Sequence, residues 1–432
     1  MSVLRRVIQR ISHRLGEGVL ANVVSLYGAY LVNYAVPLVT VPYLVRTLGP
    51  EAWGTVAIAQ GYGTSLSLIV EYGFNLSATR EVARHRDSPE RMSGLVAGVV
   101  GAKLALAAAG CLVALLVQHI IPALQAEPAI LWAAVLAGVA FGLNSLWYFQ
   151  GRERMEVVAG LEVATKVLAA AGVFLCVRSP RDVWLVPGLQ AAACVFSSAV
   201  GLVLMYRDST PKLPSPALVI EAIQTGWSLF LFRSSVMLYT AGNAFLLGLF
   251  APPEAVAYFA GAEKISKAVM GLLNPFNQAL FPRLTRLLKQ SPEDAARLFR
   301  TNAAVVGAGG LALGVGLFAF APLLVRLLLG ASFSPSVPVL RLLAVLPLLI
   351  GMNTVLCTQW MVPLGLDMIL NRVVLAAGLL NICLAALLAS RFQQIGMALA
   401  VASAELFIAI ACSAILLRRN SQSSVLLPES NI

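Results

Sequence analysis

Twelve long apolar runs, separated by short polar segments, constrain this chain more than any other feature of its sequence. They lie at about 19–44, 53–78, 92–118, 129–149, 157–177, 183–206, 224–250, 254–281, 299–325, 338–362, 371–390 and 395–417. Each is long enough for a helix to cross about 30 Å of hydrocarbon. Because a backbone in lipid must satisfy its own hydrogen bonds, helices are expected. The predicted fold class is an all-α polytopic membrane protein with 12 transmembrane helices.

The charge of the chain points to membrane topology and not to a nucleic-acid partner. The formal net charge is +11, but only 12% of the residues are charged, about half the share in soluble proteins. About twenty Lys and Arg residues fall on the side shared with the N-terminus, and about six fall on the other side. The positive-inside rule therefore predicts that both termini are cytoplasmic and that no nucleic acid is bound.

A repeated pair of tripeptides divides the chain into two halves. Pro50-Glu51-Ala52 recurs as Pro253-Glu254-Ala255, and Ser88-Pro89-Glu90 recurs as Ser291-Pro292-Glu293, both at an offset of about 203 positions. Each half holds an even number of runs, so the two copies share one orientation, as in transporters with parallel repeats. Such repeats predict two six-helix lobes around a central cleft.

The domain boundaries follow from this division and from a proline-rich break, Arg207-Asp-Ser-Thr-Pro-Lys-Leu-Pro-Ser-Pro216. We expect an amphipathic cytoplasmic segment at 1–18, an N-lobe of spans 1–6 at 19–206, a cytoplasmic linker at 207–223, a C-lobe of spans 7–12 at 224–417 and a cytoplasmic tail at 418–432. A frayed basic tail is the alternative for the first segment.

Nine ionisable side chains lie inside the predicted spans, where each costs about 2.5–3.5 kcal/mol unless it is paired or wetted. They are Glu71, Lys103, Glu162, Lys166, Arg233, Glu263, Lys264, Lys267 and Glu405. Glu162 and Lys166, like Glu263 and Lys267, are four residues apart and can neutralise each other on one helical face. The other five have no local partner, and Lys103 could simply snorkel to the interface. The guanidinium of Arg233 suits a phosphate, which favours an anionic substrate.

Motifs for catalysis, nucleotide hydrolysis and metal binding are absent from the sequence. There is no G-x-x-x-x-G-K-[ST] loop, no H-E-x-x-H and no C-x-x-C pair. All six cysteines fall inside apolar runs, and we expect them to be small core residues without disulfides. The sequence therefore predicts a protein that is not an enzyme and carries no cofactor and no metal.

Several longer motifs resemble a known family. Val41-Pro-Tyr-Leu-Val-Arg-Thr-Leu-Gly-Pro-Glu-Ala-Trp-Gly54, Glu71-Tyr-Gly-Phe-Asn-Leu-Ser-Ala-Thr-Arg-Glu-Val-Ala83, Leu143-Asn-Ser-Leu-Trp-Tyr-Phe-Gln-Gly151, Asn274-Pro-Phe-Asn-Gln-Ala-Leu-Phe-Pro-Arg283 and Leu329-Gly-Ala-Ser-Phe333 are similar to segments of the polysaccharide transport family of oligosaccharide flippases. The chain looks closest to O-antigen flippases of bacterial inner membranes. Their superfamily also includes multidrug and toxin exporters and the lipid II flippase.

The resemblance implies a V-shaped pair of lobes, with a solvated, often cationic cleft whose portals involve spans 1, 2, 7 and 8. It implies a substrate consisting of a sugar repeat unit on undecaprenyl diphosphate, contact with membrane lipid and association with glycan polymerase machinery. By span number, Glu71, Arg233, Glu263, Lys264 and Lys267 are better placed for this cleft than Lys103, Lys166 or Glu405.

The resulting hypothesis is a flippase that works by alternating access. Arg233, Lys264, Lys267, Lys103 and Lys166 are the candidates for binding the diphosphate and glycan, and Glu71, Glu263 and Glu405 are the candidates for gating or for coupling to protons or sodium ions. Two alternatives stay open: an ion-coupled exporter of drugs or other small amphiphiles on the same fold, and a glycan polymerase or ligase, which would need a larger external loop.

Overall fold

The computed structural model describes residues 17–240, 242–271, 284, 286–288 and 290–425, and of these the side chains of 17–35, 228, 232–240, 292 and 419–425 are outside the description. All the regular secondary structure in the described residues is helical, so the all-α class is confirmed. The amphipathic segment predicted at 1–18 lies almost entirely outside the described residues, as does the Asn274–Arg283 motif.

The described helices, numbered in chain order, are α1 (Glu17–Glu71), α2 (Phe74–Arg84), α3 (Pro89–Ile120), α4 (Pro122–Ala126), α5 (Pro128–Gly142), α6 (Leu146–Gly151), α7 (Met155–Cys176), α8 (Leu185–Asp208), α9 (Pro216–Thr240), α10 (Asn243–Gly248), α11 (Pro253–Met270), α12 (Pro292–Leu324), α13 (Ser336–Leu343), α14 (Leu346–Asn353) and α15 (Asp367–Val425). Single turns of 3-10 helix lie at Pro180–Asp182 and Ala331–Phe333, and π-helical segments lie at Val325–Leu329 and Thr354–Met361.

Seven helical stretches within the described residues are long and apolar enough to cross a membrane. They are Pro89–Ile120, Pro128–Gly151, Met155–Cys176, Pro180–Asp208, Glu293–Leu329, Ser336–Met361 and Asp367–Arg418. The last one contains a non-helical residue, Gln393 (φ 48°), between the two spans predicted there. The chain is therefore a multi-pass membrane protein, and the full number of twelve spans stays a prediction.

Both repeated tripeptides mark the start of a helical segment in both halves. Pro50 follows a non-helical residue, Gly49 (φ 76°), inside α1, and Pro253 is the first residue of α11. Pro89 and Pro292 are likewise the first residues of α3 and α12. Proline is preorganised for the first helical position, and the glutamate after it favours the positive end of the helix dipole. The repeated sequence thus sets matching helix boundaries.

Several predicted spans are interrupted within the described residues, among them the second, the fourth and, at 344–345, the tenth. The second span ends at Glu71, because Tyr72 (φ 49°) and Gly73 (φ 75°) are both left-handed, and α2 begins only at Phe74. The fourth span is broken at 143–145, between α5 and α6. Such breaks were not part of the prediction, since apolar periodicity does not reveal a local break in a run.

Contacts divide the chain into two compact units. The first consists of Met1–Leu48 and Tyr62–Leu231, and the second of Gly49–Gly61 and Phe232–Ile432. The core of the first unit is rich in aromatic side chains, with Trp147, Tyr148 and Phe149 almost fully buried. In the second unit Cys357 and Cys412 lie within an apolar cluster. The lobe boundaries predicted from chain order stay a prediction.

Hydrogen bonds and ion pairs connect the end of α6 to the loop between α2 and α3. Arg86 donates from Nε to the carbonyl oxygen of Gly151 (2.9 Å) and forms an ion pair with Glu153 (2.8 Å). The hydrogen bond from the Arg86 guanidinium lowers the pKa of Glu153. Arg154 in turn pairs with Asp208 at the end of α8 (2.7 Å).

The six cysteines are free, but they are not all core residues. Cys194, Cys357 and Cys412 are buried and Cys111 is half-buried, whereas Cys176 and Cys383 are exposed. The prediction of a core position is therefore wrong for the last two. Both lie on long apolar helices, α7 and α15, whose outer faces meet lipid and accept a small apolar thiol as readily as the interior does.

Helices α1 and α5 approach closely through two glycines. A Cβ atom added to Gly138 would lie 2.3 Å from the carbonyl oxygen of Gly63, and one added to Gly63 would lie 2.5 Å from that of Ala134. Small residues allow such backbone contact between membrane helices. Gly160 on α7, by contrast, has no neighbouring atom within 4 Å of an added Cβ.

We therefore expect Gly138→Ala to destabilise the protein by about 1–3 kcal/mol, because the helices must move apart to accept the methyl group. Gly160→Ala is the matched control and should be neutral or slightly stabilising, since alanine favours a helix. Thermal unfolding of both purified variants in detergent measures the difference. Equal midpoints for the two variants would contradict the close packing.

Candidate functional site

A small, mainly apolar cavity in the second unit is lined by three of the ionisable residues singled out from the sequence. Its volume is about 40 Å³, and Glu263, Lys267 and Glu405 line it together with Asn243 and Ser266. The remaining lining residues are apolar: Phe259, Met270, Leu343, Leu346, Ile350 and Val401. The cavity has room for about one water molecule or a small ion.

Glu263 is the centre of a hydrogen-bonded chain along one side of this cavity. Its Oε1 atom accepts from Lys267 Nζ (3.0 Å) and from Asn243 Nδ2 (3.3 Å). The Asn243 amide oxygen accepts from Asn381 Nδ2 at 3.2 Å. Asn243 and Asn381 are both buried, so the carboxylate charge is compensated by one cation and an amide relay. The predicted pairing of Glu263 with Lys267 is confirmed.

Glu405 lies on the other side of the cavity and is 5% exposed. Asn353 donates from Nδ2 to its Oε2 atom at 2.7 Å and to its backbone carbonyl oxygen at 3.0 Å. Asn353 is the last residue of α14, directly before the π-helical segment Thr354–Met361. Such segments often occur at functional sites. An amide side chain thus orients the Glu405 carboxyl group without neutralising it.

Lys264 has a different partner, although it neighbours Glu263 on α11. Its Nζ atom lies 4.5 Å from the centre of the Trp53 ring. Trp53 is 1% exposed and belongs, like Lys264, to the second unit. Ring quadrupoles attract cations, and more strongly where water is excluded. The aromatic ring leaves the ammonium hydrogens available for other oxygen atoms.

The first unit contains a separate buried charge cluster. Lys103 is 1% exposed and donates from Nζ to the carbonyl oxygen of Asn144 at 2.8 Å. This carbonyl lies in the break between α5 and α6, where the helix does not satisfy it. Glu71 is 3% exposed and interacts electrostatically with the ammonium. The alternative that Lys103 snorkels to the interface is therefore wrong, and its partners come from outside its own helix.

Two further candidates lie outside both clusters. Lys166 pairs with Glu162 on α7 at 3.5 Å, as predicted, with about a third of each side chain exposed. Arg233 lies on α9, and its side chain is outside the described residues. The structure therefore brings Glu263, Lys267 and Glu405 together in one unit, and Glu71 and Lys103 in the other.

Four asparagines complete these clusters, and the sequence analysis did not identify them: Asn144, Asn243, Asn353 and Asn381. All of them lie inside predicted spans. They could have been identified as amide side chains within apolar runs, because a side-chain amide in hydrocarbon needs a hydrogen-bond partner. Asn302 and Gln359, which are hydrogen-bonded to each other in the second unit, follow the same rule.

In the part of the chain that the structure describes, no three His, Cys, Asp or Glu side chains are grouped as they would be to hold a metal ion. The oxygen atoms available at the small cavity come from Glu263, Glu405, Ser266 and Asn243.

The fold is that of a known class of membrane transport proteins. It is similar to the "Lipid II flippase MurJ, inward closed conformation", with a TM-score of 0.64 and 12% identity over 92% of this chain and 87% of the other. It is also similar to an inward-facing multidrug resistance MATE family transporter of the MOP superfamily, with a TM-score of 0.61 and 15% identity over 93% and 96% of the two chains. At these identities the likeness concerns the fold alone.

Sequence similarity then gives the family. Residues 19–288 match the family of polysaccharide biosynthesis proteins. The chain is 28% identical to a protein of Escherichia coli strain K12 named "Putative O-antigen transporter", over 89% of this chain and 93% of that one. A Shigella dysenteriae protein of the same name is 30% identical over 90% and 98% of the two chains. This chain therefore belongs to the polysaccharide biosynthesis protein family, which confirms the resemblance seen in its motifs. Its relatives are transporters and not enzymes.

The buried cluster of the first unit yields a prediction about stability. Lys103→Met removes a buried cation that interacts electrostatically with Glu71 and leaves the Asn144 carbonyl without its donor, which should cost about 1–3 kcal/mol. The double variant Lys103→Met, Glu71→Gln removes both charges and should recover a large part of that loss. Thermal unfolding in detergent of the two single variants and the double variant gives the coupling. Additive losses would show that the two charges do not interact.

Proposed function

We propose that the protein is a flippase that moves undecaprenyl-diphosphate-linked oligosaccharide, an O-antigen or similar repeat unit, from the cytoplasmic to the periplasmic leaflet of the bacterial inner membrane. The observation that carries the proposal is the similarity along nearly the whole chain to two proteins named as O-antigen transporters. The fold shared with a lipid II flippase supports it.

The physical task explains why such a protein keeps cations inside the membrane. A glycan rich in hydroxyl groups cannot cross about 30 Å of hydrocarbon unaided, and a diphosphate adds concentrated negative charge. A polar pathway with fixed cations hydrates the glycan and offsets the negative charge of the diphosphate. We propose that this pathway opens alternately to the two sides of the membrane, while the prenyl chain stays in lipid.

Among the predicted cations, Arg233, Lys264 and Lys267 are our candidates for the diphosphate. The Lys267 side chain is 49% exposed although it pairs with Glu263, and the aromatic partner of Lys264 leaves its hydrogen-bond donors available. Lys103 is fully enclosed by its own unit, and Lys166 has a local carboxylate partner. The contacts of these last two favour a structural role over substrate binding.

The energy source in this proposal is an ion gradient, the membrane potential or removal of the product outside, because the sequence contains no nucleotide-binding loop. Glu405 and Glu263 are the candidate coupling groups, since they share a cavity that fits one small cation or a proton on a carboxyl group. Glu71 is the candidate for gating in the first unit, next to the helix break at Tyr72 and Gly73.

A second function, ion-coupled export of drugs or other small amphiphiles, is favoured by one observation. The fold is nearly as similar to a MATE family multidrug transporter as to the lipid II flippase, with TM-scores of 0.61 and 0.64. Parallel assays of a lipid-linked oligosaccharide and a cationic dye in the same vesicles separate the two functions. Transport of the dye but not of the glycan lipid would select the exporter.

Arg233→Ala and Lys264→Gln should each lower the rate of flipping at least tenfold, because the diphosphate loses a charged hydrogen-bond donor. The assay uses a fluorescent undecaprenyl-diphosphate oligosaccharide in reconstituted vesicles. The matched control is Lys166→Gln, which removes a partly exposed lysine already paired with Glu162. Wild-type flipping by Arg233→Ala protein that is present in the membrane in normal amount would contradict the assignment.

Coupling is tested by imposing a proton gradient or a sodium gradient across the same vesicles. One of the two should accelerate flipping by the wild type, and Glu405→Gln should abolish that acceleration, because the amide cannot exchange its charge. Glu156→Gln changes an exposed carboxylate on α7 and should leave the response intact. Full acceleration in the Glu405→Gln variant would exclude this residue as a coupling group.

A further inference from the structure

The larger of two cavities among the described residues lies in the first unit, and no residue of the two charge clusters lines it. Its volume is about 620 Å³, within the range typical of small-molecule sites. It is bounded by α2, by the first turns of α3 and α9, and by Lys212 of the segment between α8 and α9. None of its lining residues was singled out from the sequence as a candidate for substrate binding.

The walls of this cavity combine an apolar floor with a charged rim. Phe74, Leu95, Val99 and Leu218 contribute to the floor, and Glu81, His85, Glu90, Arg91, Lys212 and Glu221 contribute to the rim. Helices α3 and α9 meet at one edge, where a Cβ atom added to Gly98 would lie 2.6 Å from the Leu218 carbonyl oxygen. The cavity is therefore bounded by direct backbone packing on that side.

Part of the rim is held in place by its own hydrogen bonds. His85 Nδ1 lies 3.1 Å from the Glu81 carbonyl oxygen, and His85 Nε2 lies 3.2 Å from Arg91 Nη1. Arg84 donates to the Glu81 carboxylate at 3.0 Å. Donors and acceptors that are fixed before a ligand arrives lower the entropy lost on binding.

The charges of the rim indicate which chemistry the cavity would bind. Three carboxylates, Glu81, Glu90 and Glu221, line the cavity together with His85 and two permanent cations, Arg91 and Lys212. Glu81 also pairs with Arg80 and Arg84 outside the lining. This nearly balanced set does not favour a diphosphate, which needs an excess of cations. It suits a ligand with many hydroxyl or amide groups, because carboxylates accept their hydrogens and arginine donates to their oxygens. The apolar floor suits the C–H faces of sugar rings.

The position of the cavity fits the side from which such a ligand would come. Arg91 lines the cavity, and Arg80 and Arg84 pair with Glu81 of its lining. All three arginines belong to the basic residues that predict the cytoplasmic side. In the proposed function, the glycan head group approaches from this side.

We propose that this cavity is the cytoplasmic receiving site for the glycan part of the substrate, separate from the cations that take the diphosphate. Glu221 and Arg91 bind sugar hydroxyl or acetamido groups, and the apolar floor supports a sugar ring. The inference rests on the proposed flippase function and adds to it a subsite that recognises the head group by its sugars.

The first test compares two substrates in reconstituted vesicles: undecaprenyl diphosphate carrying a complete repeat unit, and the same lipid carrying a single sugar. Glu221→Gln and Arg91→Gln should raise the KM for the complete repeat unit about tenfold, with kcat within twofold of wild type. The KM for the single-sugar lipid should stay within twofold. Glu156→Gln serves as the control at an exposed carboxylate outside the cavity.

A second measurement does not depend on the transport rate. Thr225 lines the cavity, and Thr225→Cys, made in a background with alanine at Cys176 and Cys383, is labelled with a membrane-impermeant maleimide in inside-out vesicles. The complete lipid-linked repeat unit should slow labelling at least fivefold, whereas undecaprenyl phosphate without sugar should not. Glu156→Cys is the unprotected control.

The outcomes separate this proposal from the function on which it rests. If the wild type flips the glycan lipid but both cavity variants keep the wild-type KM, or if Thr225→Cys is not protected, the receiving site is wrong and the flippase function stands. If the wild type flips neither lipid, both proposals are wrong.

Discussion

The burial of charge in an apolar, membrane-embedded chain is the constraint on which the rest of this structure depends. An ionised side chain in hydrocarbon needs a partner or water, and each unit supplies partners in its own way. In the first unit, Lys103 satisfies a carbonyl freed by a helix break and interacts with Glu71. In the second unit, Glu263 pairs with Lys267 and accepts from Asn243, and Glu405 accepts from Asn353. The helix breaks and the polar side chains thus both provide hydrogen-bond partners for buried charged groups.

Much of the fold could be predicted because its signals are local. Apolar runs of about 20 residues predicted the membrane helices. The breaks at Tyr72–Gly73 and at Asn144 could not be predicted, because they depend on neighbours distant in sequence. Gly73 packs against Leu229, and the Tyr72 ring stacks on Phe230 at 4.2 Å.

The candidate site was predictable only in part, for a similar reason. The spacing of four residues identified the pairs Glu263–Lys267 and Glu162–Lys166, because a helix fixes that geometry by itself. The partners of Lys103, Lys264 and Glu405 come from other helices, and no spacing in the sequence reveals them. The cavity near Glu221 was missed because its polar residues lie at the ends of the predicted spans. Charged residues are common at such positions and do not by themselves indicate a binding site.

The repeated tripeptides have a consequence for how the two halves could diverge. A proline and a glutamate at each helix start set where a span begins. They do not constrain the residues in the middle of the span, which can therefore differ between the two halves. The first unit holds a buried lysine bonded to a backbone carbonyl, and the second holds a set of amides and carboxylates. Matching helix starts are therefore compatible with two different sets of buried polar groups.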